Sequence, residues 1–123
     1  MSKKIFIIDD ADFMVDMLRM IMCGAGYEVV GVAFDGKQAI EYMEALSSSD
    51  LPDIVTVDMH MPKMDGIETI RNIRTLAPAA KIILISSNAT LPVVMKAKNA
   101  GVDAFIAKPF EPQAVLDAIA KFK

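Results

Sequence analysis

Residues 54–66 read Ile-Val-Thr-Val-Asp-Met-His-Met-Pro-Lys-Met-Asp-Gly, a short apolar run that stops on Asp58 and gives way to a loop closing on Asp65-Gly66. A run this short and this continuously apolar fits a strand covered on both faces, the condition of a parallel sheet between layers of helices. The same arrangement recurs on either side. Ile5–Ile8 ends at Asp9-Asp10, Ile82–Ile85 at Ser86, and Val102–Ala107 at Lys108. A fifth run, Glu28–Ala33, is broken by Gly31 and reads as an edge strand. Ligands of open parallel sheets gather outside the carboxyl ends of the strands, so these polar residues, far apart in sequence, are expected to share one pocket.

Between the runs lie segments with helical spacing. Met14, Met17, Leu18, Ile21 and Met22 make one apolar stripe, and Val115, Ala118, Ile119 and Phe122 make another. Gly24 and Gly26 supply a stop for the first helix, Asp35-Gly36 a turn before the second, and Asp65-Gly66 a cap and tight turn opening the third. Thr90 with Pro92, and Glu111-Pro112, read as the cap and first turn of the fourth and fifth. Apolar runs alternating with amphipathic segments predict an α/β fold with five parallel strands in the order 2-1-3-4-5. Ten methionines are present. Met14, Met17, Met22 and Met43 are expected to fill the core, and Met59, Met61 and Met64 to rim the pocket.

A chain of 123 residues is expected to form one domain spanning residues 1–123, large enough to bury roughly two thirds of its unfolded surface. The single cysteine, Cys23, cannot form an intramolecular disulfide, and its place after Ile21 and Met22 predicts a buried structural thiol in a reducing, cytoplasmic setting. The apolar stretch behind Lys3-Lys4 is too short for a signal segment or a membrane span. Net charge is −3 but uneven: residues 1–61 hold 4 Lys/Arg against 11 Asp/Glu, and residues 62–123 hold 9 against 5. Most of these charges read as solvated helix faces. Direct nucleic-acid binding and membrane insertion are not expected.

The exception is the acidic group at the pocket mouth. If Asp58 approaches Asp9 or Asp10 to about 4 Å, each like-charged pair costs about 4 kcal/mol at an effective dielectric of 20, a burden for a marginally stable domain. A cation is therefore expected. The ligands on offer are carboxylate and carbonyl oxygens, with no cysteine pair and a single histidine, so a hard, water-retaining ion suits the site: Mg2+, with Mn2+ able to substitute. Asp58, Lys108 and Ser86 beside such an ion are the parts that phosphoryl transfer to a carboxylate needs. Each has an ordinary structural explanation alone; the combination argues for the chemistry.

The stretches IFIIDD, DIVTVDMHMPKMDG, IILISSN and DAFIAKPF, in that order, resemble the receiver domains of the response-regulator family, and the resemblance runs from Lys4 to Phe122. It implies a flavodoxin-like (βα)5 three-layer sandwich. It also implies that Asp58 is the phosphoacceptor, that Asp10 and Asp58 ligate Mg2+ directly with the His60 backbone carbonyl, and that Asp9 acts through water. Ser86 and Phe105 would be the switch pair, Lys108 would take the place of the family's lysine, joined to Pro109 by a cis peptide, and His60 and Asn88 would be the residues tuning the phosphoryl lifetime. Neither of the last two is a carboxylate, so slow to intermediate dephosphorylation is expected.

The resemblance further implies a histidine kinase as phosphodonor and an output surface formed by the fourth helix, fifth strand and fifth helix, with Leu91, Val94, Lys96, Lys98 and Lys121 exposed on it. The compact single-domain form points to a stand-alone, monomeric regulator of chemotaxis that binds a motility or adaptor protein. A relay intermediate, or a receiver from another two-component pathway, would use the same chemistry. A Mg2+-dependent phosphohydrolase would want an acid two residues after the nucleophile, where this chain has His60. Flavin binding is disfavoured because the first strand leads into Asp-Asp-Ala-Asp, which repels phosphate.

Overall fold

The structure, a computed structural model, describes residues 3–61 and 63–122. Its strands are β1 (Lys4–Ile8), β2 (Glu28–Ala33), β3 (Ile54–Asp58), β4 (Lys81–Ser86) and β5 (Ala104–Ala107). The helices are α1 (Asp12–Gly24), α2 (Gly36–Glu44), α3 (Gly66–Leu76), α4 (Leu91–Ala100) and α5 (Pro112–Ala120), with a 3-10 turn at Ser48–Asp50. All strand pairs are parallel and the order is β2-β1-β3-β4-β5, as the alternating pattern predicts.

Two apolar clusters sandwich the sheet. Phe6, Ile8, Val55, Val57, Ile82 and Leu84 point to one face, under α2, α3 and α4; Ile5, Ile7, Ile54, Ile83, Ile85 and Ile106 point to the other, under α1 and α5. Strict alternation along each strand explains why β1, β3 and β4 read as unbroken apolar runs: both faces are core. β2 is an edge, and its register slips opposite Ile5/Phe6, where Gly31 takes the place beside the Phe6 ring. Thr56 breaks the rule in β3. It is buried, and its hydroxyl is the one buried side-chain polar atom among the described residues without a hydrogen-bond partner.

Several expectations need correction. Val102 lies outside β5; its N–H bonds the Ala97 carbonyl, and the Asp103 N–H bonds Ile82, so residues 101–103 close α4 before the strand begins. Met17 is exposed, and Val15 takes its place in the stripe with Met14, Leu18 and Met22. Cys23 is also exposed. Each helical residue turns about 100°, so the position after buried Met22 rotates toward solvent. Asp35 and Asp65 do cap their helices, accepting from the Gln38 and Glu68 N–H groups at 2.7 and 2.9 Å. Thr90 and Glu111 occupy the N-cap positions of α4 and α5 but give no side-chain cap, leaving Pro92 and Pro112 to set the first turns. No helix among the described residues is long and apolar enough to cross a membrane.

Candidate functional site

The sheet register builds the site. Ile8 pairs with both Ala33 and Val57, Asp58 with Ile85, and Ser86 with Ala107, so Asp9, Asp58, Ser86 and Lys108 emerge on one carboxyl edge. Backbone bonds extend the ladder by one residue and fix that edge: the Asp9 N–H reaches Ala33, Met59 reaches Ile85, and Lys108 reaches Ser86. The Lys108-Pro109 peptide is cis.

Carboxylate oxygens of Asp9, Asp10 and Asp58 all lie within 4.8 Å of one another. The Lys108 ammonium donates to Asp58 Oδ1 at 2.9 Å and stands 3.9 Å from Asp9 Oδ2. Asp9 Oδ1 accepts from the Ala11 N–H at 2.9 Å, which orients a carboxylate that is 1% exposed. Burial raises the Asp9 carboxyl to about 6; the Ala11 N–H and the Lys108 charge oppose the rise, while Asp58 and Asp10 add to it. Asp58 is raised as well, by burial first, with Lys108 pulling it back and Asp10 pushing it up. One ammonium thus faces three carboxylates, two of them held above their ordinary range. An all-oxygen donor set with surplus negative charge fits a hard divalent cation.

The loop after Asp58 turns under it. The Gly66 N–H bonds the Met59 carbonyl at 2.9 Å, and a Cβ at Gly66 would stand 2.8 Å from the Asp58 carbonyl oxygen and the Met59 Cα. Only glycine lets α3 start this close to the Asp58 backbone. Sequence reading assigned Gly66 a turn and no more; a glycine directly after an Asp cap, at the first helical position, is the signal that marks such a seat. Met59 and Met61 pack at the edge of the core, but Met64 does not rim the pocket: its sulfur lies beside Gly36 and accepts from Asn72. Pro62, within the stretch that follows Asp58 in the sequence, lies outside the described residues. The His60 side chain is exposed.

Ser86 is fully buried, and its hydroxyl accepts from the Asn88 N–H at 3.0 Å while lying 3.2 Å from the Asn88 carbonyl. It is therefore engaged by its own loop. Phe105 is half-buried, packed against the α3–α4 side of the core. It also lines a groove of about 530 Å3 between β5 and α5, with Phe110, Glu111 and Lys121. Leu91, Lys96, Lys98 and Lys121 are exposed as expected, and Val94 is half-buried. A cavity of about 580 Å3 lies at the opposite end of the sheet around Leu51, Pro52 and Ala80. The acidic residues that converge are at the Asp58 end.

Residues 5–120 match the family model described as the response regulator receiver domain. The chain is 45% identical to the chemotaxis protein CheY of Thermotoga maritima over 98% of both chains, and 41% identical to that of Bacillus subtilis over the same shares. Among solved structures, CheY in the CheX–CheY–BeF3–Mg2+ complex of Borrelia burgdorferi superposes with a TM-score of 0.89 at 32% identity, covering 97% of this chain and 87% of that one. With the parallel order 2-1-3-4-5 and an acidic pocket at its carboxyl edge, the chain belongs to the response-regulator receiver-domain family, whose members are signalling phosphoacceptors.

Proposed function

We propose that this chain, acting as one receiver unit, takes a phosphoryl group from the phosphohistidine of a histidine kinase onto Asp58 and thereby changes the α4-β5-α5 surface that a downstream protein reads. One observation carries the reading: Lys108 Nζ stands 2.9 Å from Asp58 Oδ1 inside a group of three clustered carboxylates. Mg2+ or Mn2+, held by the carboxylates of Asp10 and Asp58 and the His60 carbonyl with Asp9 reached through water, would neutralise charge on the phosphoryl oxygens.

The chain's own residues do the rest. An Asp58 carboxylate oxygen attacks phosphorus in line; the bond to the donor's imidazole nitrogen breaks, and its electron pair returns to the ring. Lys108, already directed at Asp58, meets the new negative charge. Ser86 exchanges its bond to the Asn88 backbone for one to the phosphoryl group, drawing the β4–α4 loop inward. Phe105 then turns into the space vacated, which favours one of two pre-existing arrangements of the output face. A coupling of ~1–3 kcal/mol is the ordinary range for such a device.

The similarity to proteins named for chemotaxis supports a motility or adaptor protein as the partner; on this reading the receiver works as a monomer in the cytoplasm. With His60 and Asn88 at the tuning positions, the acyl phosphate decays slowly to moderately. The test is incubation with acetyl phosphate and Mg2+, followed by intact-mass spectrometry and hydroxylamine treatment. One hydroxylamine-labile phosphoryl group is expected, absent in Asp58→Asn and absent with EDTA. Undiminished labelling of Asp58→Asn would overturn the assignment, and turnover of a phosphomonoester with no lasting adduct would favour a phosphohydrolase.

A further inference from the structure

We infer that Arg74 is the fixed post of a hinge in α4: it locks the carboxyl-terminal root of that helix to α3 and β4, so that the phosphorylation response is taken up by the amino-terminal half. The inference rests on the phosphoacceptor reading for its use, though not for its geometry. Arg74, near the end of α3, spends its guanidinium on four acceptors: Nη1 on the Pro78 and Ala80 carbonyls at 3.1 and 2.7 Å, and Nη2 on the Gly101 carbonyl and Asp103 Oδ2 at 2.6 and 2.7 Å. Asp103 Oδ2 also accepts the Ile82 N–H at 2.8 Å, so the pair ties α3, the start of β4 and the α4–β5 turn into one knot.

Gly101 completes it. Its φ of 102° ends the helix in the left-handed conformation, and a Cβ there would lie 3.2 Å from Arg74 Nε, so the arginine packs against the turn it holds. A planar fork with several donors suits such a knot; a single ammonium cannot reach all four acceptors.

The rest of α4 is anchored unevenly. Its buried residues, Ala97 and Ala100, both fall in the carboxyl-terminal half. In the other half Leu91 is 72% exposed and Met95 46% exposed, Val93 and Val94 are half-buried, and the Thr90 N-cap makes no side-chain bond. That loose end joins the Asn88 loop held by the Ser86 hydroxyl. A rod pinned at one end and attached at the other to the group that moves will pivot about the pin. Regions with few buried contacts open at low free energy, and knotted ones do not.

Residue-resolved amide exchange tests this, with and without beryllofluoride and Mg2+ as the phosphoryl mimic. In the unmodified chain, amides 94–96 should exchange at least tenfold faster than those of 100–103, and the mimic should change protection at 94–96 while leaving 100–103 unaltered. In Arg74→Met the 100–103 amides should lose that advantage and begin to respond to the mimic, with Arg74→Lys intermediate. A purely structural role would instead lower α4 and the slowest β1 and β3 amides by the same factor, leaving the internal ratio unchanged, and would overturn the inference. Asp103→Asn, which keeps the shape of the knot, gives the same comparison if Arg74→Met does not fold. Uniform exchange along α4 in the unmodified chain also overturns the hinge, whereas no response to the mimic anywhere counts against the phosphoacceptor reading.

Discussion

Asp9 shows how the site sets its own stability. Its folded carboxyl titrates at about 6 against an ordinary value of 3.8, with burial as the leading cause. The folded state therefore holds a proton that the unfolded state has released, and stability falls as pH rises through the window between those values. Above it the cost is fully present, on the order of 2–3 kcal/mol for a group this buried. Metal-free protein should then resist urea better at pH 5 than at pH 7, and Asp9→Asn should flatten that dependence; a midpoint that rises with pH in EDTA would contradict the assignment. Thr56 is the complementary case. Its buried hydroxyl has no partner, between Ile54 and Asp58 on the α1–α5 face of β3. An unmet buried donor costs about 1–3 kcal/mol, so Thr56→Val should raise the chemical-denaturation midpoint by an amount equivalent to ~1 kcal/mol without altering phosphorylation. A loss of stability would mean that the hydroxyl is satisfied, for example by buried water.

At the scale of elements, the junction of β3 with α3 carries the tightest constraint near the chemistry. A Cβ at Gly66 would stand 2.8 Å from the Asp58 carbonyl oxygen, so Gly66→Ala forces either the helix start or the end of the strand carrying Asp58 to shift. Such a shift should lower the rate of Asp58 phosphorylation by tenfold or more, with an overpacking loss of about 1–3 kcal/mol. Unchanged phosphorylation kinetics would show that the seat is not needed. Strands were legible in the sequence because β1, β3 and β4 bury both faces, which leaves an unbroken apolar run and a polar residue where burial stops. The convergence of Asp9, Asp58, Ser86 and Lys108 was legible for the same reason, since a parallel sheet brings such endings together; what each residue does there was a matter of resemblance. Val102 was misplaced because a helix C-cap and a buried strand both want an apolar residue, and only the left-handed Gly101 tells them apart. Met17 and Cys23 failed at the flank of a helical stripe, where one residue's rotation separates core from solvent. Arg74 gave no signal, because its acceptors are mostly carbonyls that any sequence supplies.

For the molecule as a whole, one edge of the sheet carries a charge excess that the fold alone does not neutralise. Three carboxylates face one ammonium there, while the apolar clusters on both faces hold the strands that present them in fixed register. A cation that binds only when these strands are aligned stabilises the folded state by mass action, by about 2.7 kcal/mol at a hundred times its dissociation constant. The unfolded chain, with Asp9, Asp10 and Asp58 scattered, gains nothing comparable. Mg2+ should therefore raise the melting temperature in proportion to the logarithm of its concentration once the site is saturated. Protons compete for the same oxygens, so the gain should shrink as pH falls below the Asp9 value of about 6. Calcium, larger and wanting more ligands than three carboxylates and a carbonyl supply, should give a smaller rise at equal concentration. Asp10→Asn should lose most of the Mg2+ increment while keeping a folded domain, because Asp10 is exposed and its removal relieves repulsion. Equal melting temperatures with and without Mg2+ at pH 7.5 would mean that Lys108 alone balances the edge, and the metal-assisted reading of Asp58 would fall with it.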